Sequence, residues 1–261
     1  MTNWYLGTVG FSYKDWDGVF YPSGMASRSY LAHYSQVFNA VELDSTFYGT
    51  PPVDRVRHWA TLVPPHFRFC VKTPRHITHE LGLVDAGEQM RAFLHAVSQF
   101  EDKLGAILIQ LPPNFKAVNY DVVDTFLTNL PAEFIYAIEL RHESWFTSET
   151  AALLKHHNVC WTSTDYLDLP KHIALTTDFL YIRWLGQHGR FPRKNEEQVD
   201  VMPQLQWWWD YIQPQLNRTQ TIYGFFNNDY AGHSPTTCNR FKQLTGLPTT
   251  YPEIPQQGRL F

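Results

Sequence analysis

The chain alternates short apolar runs with amphipathic stretches, and this alternation limits the folds that it can adopt. Eight runs have the length and composition of β-strands, and most of them are followed by a helical pattern. The starts of these runs are separated by roughly 20 to 40 residues, which is the spacing of successive βα units. Near-continuous apolar strands are typical of parallel sheets that are buried on both faces. The pattern therefore predicts an α/β protein.

The number of βα units decides between a barrel and an open sheet. The predicted strands are 5–10, 40–45, 67–72, 105–111, 134–138, 159–165, 179–185 and 221–226. The predicted helices are 29–38, 53–63, 88–100, 120–130, 148–156, 202–216 and 234–244. A doubly wound sheet needs fewer strands and usually a Gly-x-Gly-x-x-Gly turn, which does not follow any strand here. We therefore predict a single TIM-like (β/α)8 barrel over residues 1–261.

Composition narrows the class of protein. The hydrophobic fraction of 44% and the charged fraction of 18% indicate a folded globular chain. A net charge of -4 argues against a globally basic nucleic-acid binder. Cys70, Cys160 and Cys238 are odd in number and far apart, so a disulfide framework is not expected. Without a long apolar run or a secretory start, the sequence favours a cytoplasmic protein that has no contact with membranes.

Polar side chains stand at the carboxyl ends of the predicted strands. Such ends meet at one mouth of a TIM barrel, which is where enzymes with this fold place their chemistry. The densest case is the stretch from Ala137 to Trp145, in which the period of a strand puts Glu139 and Arg141 on one face. The expected site residues are Tyr13, Trp16, Glu42, Asp44, Lys72, Gln110, Glu139, Arg141, His142, Trp145, Asp165, Arg183, Asn227 and Asn228.

Four of these residues are expected to be catalytic. Glu42 or Glu139 is suited to general acid or base catalysis, with a pKa set by neighbouring cations. Lys72 is suited to stabilise an oxyanion or, if burial lowers its pKa, to form a Schiff base. Asp165 is the fourth residue that we expect to be catalytic. These roles predict an enzyme of hydrolase, lyase or isomerase type.

The other ten residues are expected to bind the substrate. Arg141 and Arg183 carry planar forks that fit phosphate or carboxylate. Asn227 and Asn228 lead into the last helix, whose N-terminus is a possible anion site. Aromatic rings such as Trp16 can stack on a sugar or a base. The expected substrate is a small anionic or sugar-like molecule, and no cofactor is predicted.

Several ordered motifs resemble the YecE-like family, which is known as domain of unknown function 72. They include Gly7-Thr-Val-Gly10, the segment 38–48, the segment 67–79, Gln110-Leu-Pro-Pro113, Glu139-Leu-Arg-His142 and Phe226-Asn-Asn228. The resemblance spans nearly the whole chain and implies a TIM-like barrel, but it implies no reaction. Two positions depart from the family pattern. Many relatives have a histidine beside the arginine corresponding to Arg183, and Asp44 stands where relatives often have asparagine.

Two other functions fit the same residues. The first is a metal-dependent phosphoester hydrolase, for which nucleic acid is a possible but less favoured substrate. Suitable ligand types for a divalent metal are present but lack a compact spacing, so no metal ligand is assigned; they are His76, His79, Glu139, His142 and Asp165. The basic segment 190–194 keeps nucleic acid open as a partner. The second is a non-catalytic binding protein in which the charged residues form a structural ring.

Overall fold

The computed structural model describes residues 2–252, and residues 1 and 253–261 of the predicted domain lie outside the described residues. Its strand segments form one parallel sheet with the order β6-β5-β4-β3-β2-β1-β9-β8-β7. The strands are β1 Asn3–Val9, β2 Ala40–Leu43, β3 Arg68–Lys72, β4 Leu104–Gln110, β5 Tyr136–Glu139, β6 Cys160–Trp161, β7 Ser163–Asp165, β8 Phe179–Trp184 and β9 Thr221–Phe226.

The two ends of this sheet belong to one short stretch of chain. β6 pairs with β5, and β7 pairs with β8. Between them, the amide of Thr162 donates to the carbonyl oxygen of Ile138 at 2.9 Å. The predicted sixth strand, 159–165, is therefore divided between two neighbours, and the division brings the sheet round into a nearly closed barrel. The predicted TIM-like (β/α)8 fold is confirmed, with one predicted strand present as two segments.

Helices connect most of the strands. They are α1 Tyr30–Val37, α2 Val53–Thr61, α3 Gly87–Val97, α4 Tyr120–Thr128, α5 Ser148–His156, α6 Met202–Ile212, α7 Asn228–Ala231 and α8 Ser234–Leu244. The predicted helices 88–100 and 202–216 are too long, because their last turns are 3₁₀ helices. A π-helical turn, His76–Glu80, replaces part of a predicted loop, and residues 166–178 join β7 to β8 without a helix. None of the helices in residues 2–252 is long and apolar enough to cross a membrane.

The barrel interior is filled by small residues and aromatic rings. Ala40, Ala106 and Ala137 share this apolar cluster with Tyr181 and Phe225, and all of them are buried. Small side chains on neighbouring strands leave the volume that the rings occupy, as close packing of a core requires. A second and larger apolar cluster contains the buried faces of the helices.

Strand periodicity carries four polar side chains to the top of the interior. Glu42, Lys72, Glu139 and Arg183 each stand two residues after an interior position of the same strand, and side chains two apart share a face. The interior positions that precede them are Ala40, Cys70, Ala137 and Tyr181. The charged layer therefore lies on the apolar layer, at the carboxyl ends of the strands.

Candidate functional site

Arg183 is the centre of a buried charge network. Its Nε and Nη2 donate to the two carboxylate oxygens of Glu42 at 2.9 and 2.6 Å, and its Nη1 donates to Oε2 of Glu139 at 2.5 Å. The hydroxyl of Tyr181 also donates to Glu42, at 2.8 Å. None of these four residues is more than 3% exposed. Two carboxylates thus occupy both edges of the guanidinium fork, which is the arrangement that a buried charge requires.

Glu139 is shared between two arginines. Nε of Arg141 donates to its other oxygen at 2.5 Å, and the Arg141 guanidinium carbon lies 4.4 Å from the ring centroid of Tyr166. Burial opposes ionisation of Glu139, but Arg141 and Arg183 outweigh it and lower the pKa to about 2. Glu139 is therefore a carboxylate at neutral pH and has no proton to donate as a general acid.

Lys72 lies at the end of β3 and forms no ion pair within 4 Å with a carboxylate of residues 2–252. Its Nζ is 3.7 Å from the ring centroid of Phe47, in a cation–π contact. The carboxylates of Glu42 and Glu139 accept their hydrogen bonds from the arginines and from Tyr181 instead. Lys72 therefore lies beside the network as a cation that pairs with neither of its glutamates.

The same surroundings make the Lys72 amine easy to deprotonate. Burial disfavours the ammonium, and the positive charges of Arg183 and Arg141 disfavour it further. The two glutamates of the network oppose this effect but do not cancel it, so the pKa of Lys72 falls to about 7. At neutral pH the amine is present in both protonation states, which suits a group that transfers protons.

Asp44 is a half-buried carboxyl group that directly follows β2, and no cation pairs with it in the described part of the chain. Burial and the charge of Glu42 raise its pKa, while the nearby cations lower it by less. Tyr13 is its neighbour, and the Tyr13 hydroxyl donates to the carbonyl oxygen of Val9 at 2.7 Å. The surroundings of Asp44 therefore disfavour its ionised form.

These groups line a cavity of about 510 Å³ at the carboxyl ends of the strands. Asp44, Lys72 and Arg141 are parts of its wall, together with Asn228. The ring of Tyr48 stands at its rim and is 82% exposed. A space of this size is sufficient for a small-molecule ligand.

Asn227 and Asn228 lie at this mouth but do not open a helix terminus to it. Asn227 caps the short helix α7. Oδ1 of Asn228 accepts from the amide of Ser234 at 3.0 Å and from Nε1 of Trp16 at 3.3 Å. The expected anion site at the start of the last helix is therefore closed by a side chain. Because Oδ1 faces two obligatory donors, Nδ2 of Asn228 is fixed on the other side, where it is buried and has no partner within the described residues.

The connection after β8 is attached to the mouth by Asp229. Lys194 forms an ion pair with this carboxylate, and the amide of Gly189 donates to it at 3.0 Å. Gly186, at φ +67°, passes so close that a Cβ atom there would lie 2.2 Å from the carbonyl oxygen of Asp229. Part of the predicted basic segment 190–194 is therefore engaged within the protein.

Asp165 does not join the charge network. It follows Thr164, which pairs with Arg183, so the alternation of side chains turns Asp165 to the outside of the barrel. There its Oδ2 accepts from Nε1 of Trp208 at 2.8 Å and from the hydroxyl of Tyr230 at 2.9 Å. The predicted placement of Asp165 among the catalytic residues of the mouth is wrong, because Asp165 pairs with Trp184 and its side chain lies on the outer face of the sheet.

Four other predicted site residues are not among those that line the cavity. Trp16 and Trp145 are fully buried and present no ring surface to a ligand. Nε2 of Gln110 donates to a backbone carbonyl at 2.6 Å, and the imidazole of His142 bonds within the turn that follows β5. These side chains therefore lie outside the set that lines the cavity.

Other residues of the site were missing from the sequence prediction. Tyr181 was detectable, since it lies two positions before Arg183 on the same strand face. Phe47, Tyr166 and Asp229 stand in connections after strands, where no periodicity indicates which way a side chain points.

The described residues contain no cluster of three or more side chains suited to hold a metal ion. The five candidate ligand residues considered from the sequence are accordingly not brought together in a cluster of three or more. A neighbouring cavity of about 620 Å³ shares Tyr13 and Asp44 with the mouth and adds Arg28, Arg55 and His58. A third cavity, of about 480 Å³, lies beside α3 and α4 and does not touch the charge network.

Known proteins are similar to this chain over nearly its whole length. A family model described as "Protein of unknown function DUF72" matches residues 5–258. The chain is 26% identical to UPF0759 protein YecE of Escherichia coli (strain K12), over 98% of this chain and 99% of that protein. It is 31% identical to UPF0759 protein YunF of Bacillus subtilis (strain 168), over 60% of each.

Solved structures agree with the barrel. A crystal structure of a DUF72 family protein from Thermotoga maritima has a TM-score of 0.80 and 29% identity, covering 94% of this chain and 99% of that one. A DUF72 family protein from Enterococcus faecalis has a TM-score of 0.76 at 21% identity, covering 95% and 99%, and is similar in fold.

Proposed function

This chain belongs to the DUF72 family, whose name records no activity, and from its barrel mouth we propose an enzyme that uses acid–base and electrostatic catalysis on a small anionic substrate. Lys72 and Asp44 are the proposed proton-transferring groups. Arg141 and the free amide nitrogen of Asn228 are the proposed substrate-binding groups. The glutamates of the charge network are assigned to support rather than to chemistry.

A single observation carries this proposal: Lys72 and Asp44 line one cavity, and neither has an ion-pair partner in residues 2–252. A folded protein normally pairs a buried or half-buried charge, because leaving it unpaired costs stability. Here burial lowers the pKa of Lys72 to about 7 and raises that of Asp44, so the surroundings disfavour the charged form of each group. Perturbed groups that meet in a cleft are typical of catalytic sites.

The charge of the cavity favours an anion. Arg141 is 15% exposed and uses Nε for Glu139, which leaves the terminal nitrogens of its fork for a ligand. Nδ2 of Asn228 is a buried donor without a partner in the described residues, and such donors are costly unless something accepts from them. A phosphate or carboxylate group bound in this cavity would supply oxygen acceptors for such donors.

The geometry is less favourable to glycoside hydrolysis. That reaction uses two carboxyl groups, one of which donates a proton. Glu139 has a pKa of about 2, and Glu42 is saturated by Arg183 and Tyr181. The acid needed by a glycosidase is therefore absent from this pair.

The first test measures the two properties on which the proposal depends. Lysine labelled with ¹³C at Cε is titrated by NMR, and Lys72→Arg identifies the resonance. We expect a midpoint near pH 7. Sulfate and phosphate binding is measured by calorimetry and by crystal soaking, with density expected beside Arg141 and Asn228.

Turnover is tested on a mixture of many small molecules at once. The purified protein is incubated with a metabolite extract, and consumption of compounds is followed by mass spectrometry. Lys72→Met should abolish any consumption, whereas Lys155→Met, which removes an exposed lysine on α5, should not. An ordinary lysine midpoint near 10.4, together with no anion binding, would refute the proposal.

A further inference from the structure

We infer that Lys72 is a Schiff-base nucleophile and that the substrate is a small carbonyl compound with an anionic group close to the carbonyl. This inference rests on the proposed function and adds a covalent step at the same cavity. It also narrows the substrate from small anions in general to aldehydes or ketones that carry a carboxylate or phosphate.

The surroundings of Lys72 differ from those of a lysine that only binds an anion. A lysine that holds an anion remains charged, which a partner carboxylate or open solvent normally ensures. Glu42 and Glu139 form their ion pairs with Arg183 and Arg141 instead, and their charges only partly offset the lowering of the Lys72 pKa by burial and by the two arginines. The Phe47 ring covers one side of the amine, with Nζ 3.7 Å from the ring centroid. The amine therefore faces the cavity as a compact, partly desolvated nucleophile, the state that Schiff-base enzymes require.

A proton donor for the reaction lies in the same wall. The neutral amine of Lys72 attacks the carbonyl carbon, and the electron pair of the C=O bond moves to the oxygen, which takes a proton from Asp44. The attacking nitrogen, now positively charged, returns one proton to Asp44, which passes it to the hydroxyl group of the carbinolamine. This group leaves as water while the nitrogen lone pair forms the C=N bond, and the iminium nitrogen then returns its remaining proton to Asp44. Amine and carbonyl thus become an imine and one water, with no oxidation or reduction.

The inference that the substrate carries an anionic group rests on the positive charge of Arg141 in the cavity wall. Arg141 borders the same cavity as Lys72, so an anion bound by Arg141 brings an adjacent carbonyl towards the amine. The imine then acts as an electron sink for bond cleavage or proton loss next to the former carbonyl carbon. This reaction type agrees with the proposed acid–base function.

Reductive trapping tests the covalent step. The full-length protein is incubated at pH 7 with glyoxylate, pyruvate or glyceraldehyde 3-phosphate and sodium cyanoborohydride, and modified lysines are located by peptide mass spectrometry. With a pKa of about 7, Lys72 carries about a thousandfold more neutral amine at pH 7 than an ordinary lysine. We expect it to be the first lysine modified, and faster with these anionic probes than with butanal.

Three variants control this experiment. Lys72→Arg retains the charge but removes the nucleophile and should abolish the main adduct. Lys242→Arg removes another lysine whose pKa burial lowers but which lies outside the cavity, and it should leave the adduct unchanged. Arg141→Gln should slow trapping by glyoxylate more than trapping by butanal, because it removes the proposed anion-binding charge in addition to one of the two charges that lower the pKa of Lys72. Thermal melts establish that each variant is folded.

The outcomes separate this inference from the proposed function. Modification of Lys72 that excess sulfate suppresses supports both. A Lys72 midpoint near 7 with sulfate binding, but modification spread evenly over the surface lysines, overturns the Schiff base and leaves acid–base catalysis. An ordinary midpoint with neither binding nor trapping overturns both.

Discussion

Arg183→Met tests whether the buried network stabilises the fold. The substitution keeps an apolar stem of similar length but removes all three hydrogen bonds from Arg183 to the two glutamates. Glu139 retains Arg141, whereas Glu42 is left fully buried with only the hydroxyl of Tyr181. Removing one partner of a buried pair costs about 3–5 kcal/mol, chiefly because the other charge remains uncompensated.

Equilibrium unfolding in urea, followed by tryptophan fluorescence, measures this loss. A loss of that size lowers the melting temperature by roughly 6–20 °C for a chain of this length. The matched control is Arg57→Met, which breaks an ion pair with Asp54 whose side chains are 62% and 98% exposed. We expect the control to lose less than about 1 kcal/mol.

A second substitution identifies the cause. Adding Glu42→Gln to Arg183→Met removes the charge that has lost its partner, so the double variant should recover part of the stability. A loss below about 1 kcal/mol in Arg183→Met, or no recovery in the double variant, would show that water solvates the network and that the reasoning is wrong.

The same variant changes the response to acid. Glu139 has a folded-state pKa of about 2, below its value of about 4.3 in an unfolded chain, so its contribution is complete above pH 4.3 and is lost as the pH falls towards 2. Arg183 is one of the two cations that lower this pKa. We therefore expect the acid-dependent loss of stability between about pH 4.3 and 2 to be smaller in Arg183→Met than in the parent protein.

Three further predictions concern the mouth. Between about pH 7 and 10.4 the unfolding free energy should rise with pH, because the folded state binds fewer protons at Lys72 than the unfolded chain; urea titrations should show this slope, and Lys72→Met should remove it. Arg141→Gln should weaken sulfate binding roughly tenfold or more in calorimetry, because it removes a charge-assisted contact. Lys194→Met releases the connection after β8 from Asp229, so chymotrypsin should cleave near Phe191 faster; unchanged cleavage would show that this ion pair is dispensable.

The fold was predictable because two periodicities in the sequence agree. Apolar strands and helical faces alternate, and the predicted TIM-like barrel and the family resemblance are both confirmed. The exception is the sixth strand. Its hydrophobic pattern shows where a strand lies, but the break at Thr162 depends on which neighbours the two halves meet.

The site was predictable only where strand geometry determines it. The period of two places Glu139 and Arg141 on one face, and the structure joins them at 2.5 Å. Asp165 was misplaced in the prediction. In this strand segment Thr164 pairs with Arg183, so the next residue, Asp165, faces outward. Trp16 stands in a connection, where composition suggests an aromatic wall but only tertiary packing decides that the ring is buried.

Substitutions of Arg183 and Lys72 should have opposite effects on stability, and this difference distinguishes a residue that stabilises the fold from one that is positioned for reaction. Removing Arg183 should destabilise the protein, because in the folded state its guanidinium group is an ion-pair partner of both Glu42 and Glu139. Removing the charge of Lys72 should stabilise it near neutral pH, because a cation with a lowered pKa is held in the folded state at a cost. The charged side chain of Lys72 lowers the free energy of unfolding, so stability does not explain its presence at this position. If Lys72→Met is more stable than the parent protein at pH 7 and Arg183→Met is less stable, the network is the scaffold and Lys72 is the group that it positions for reaction.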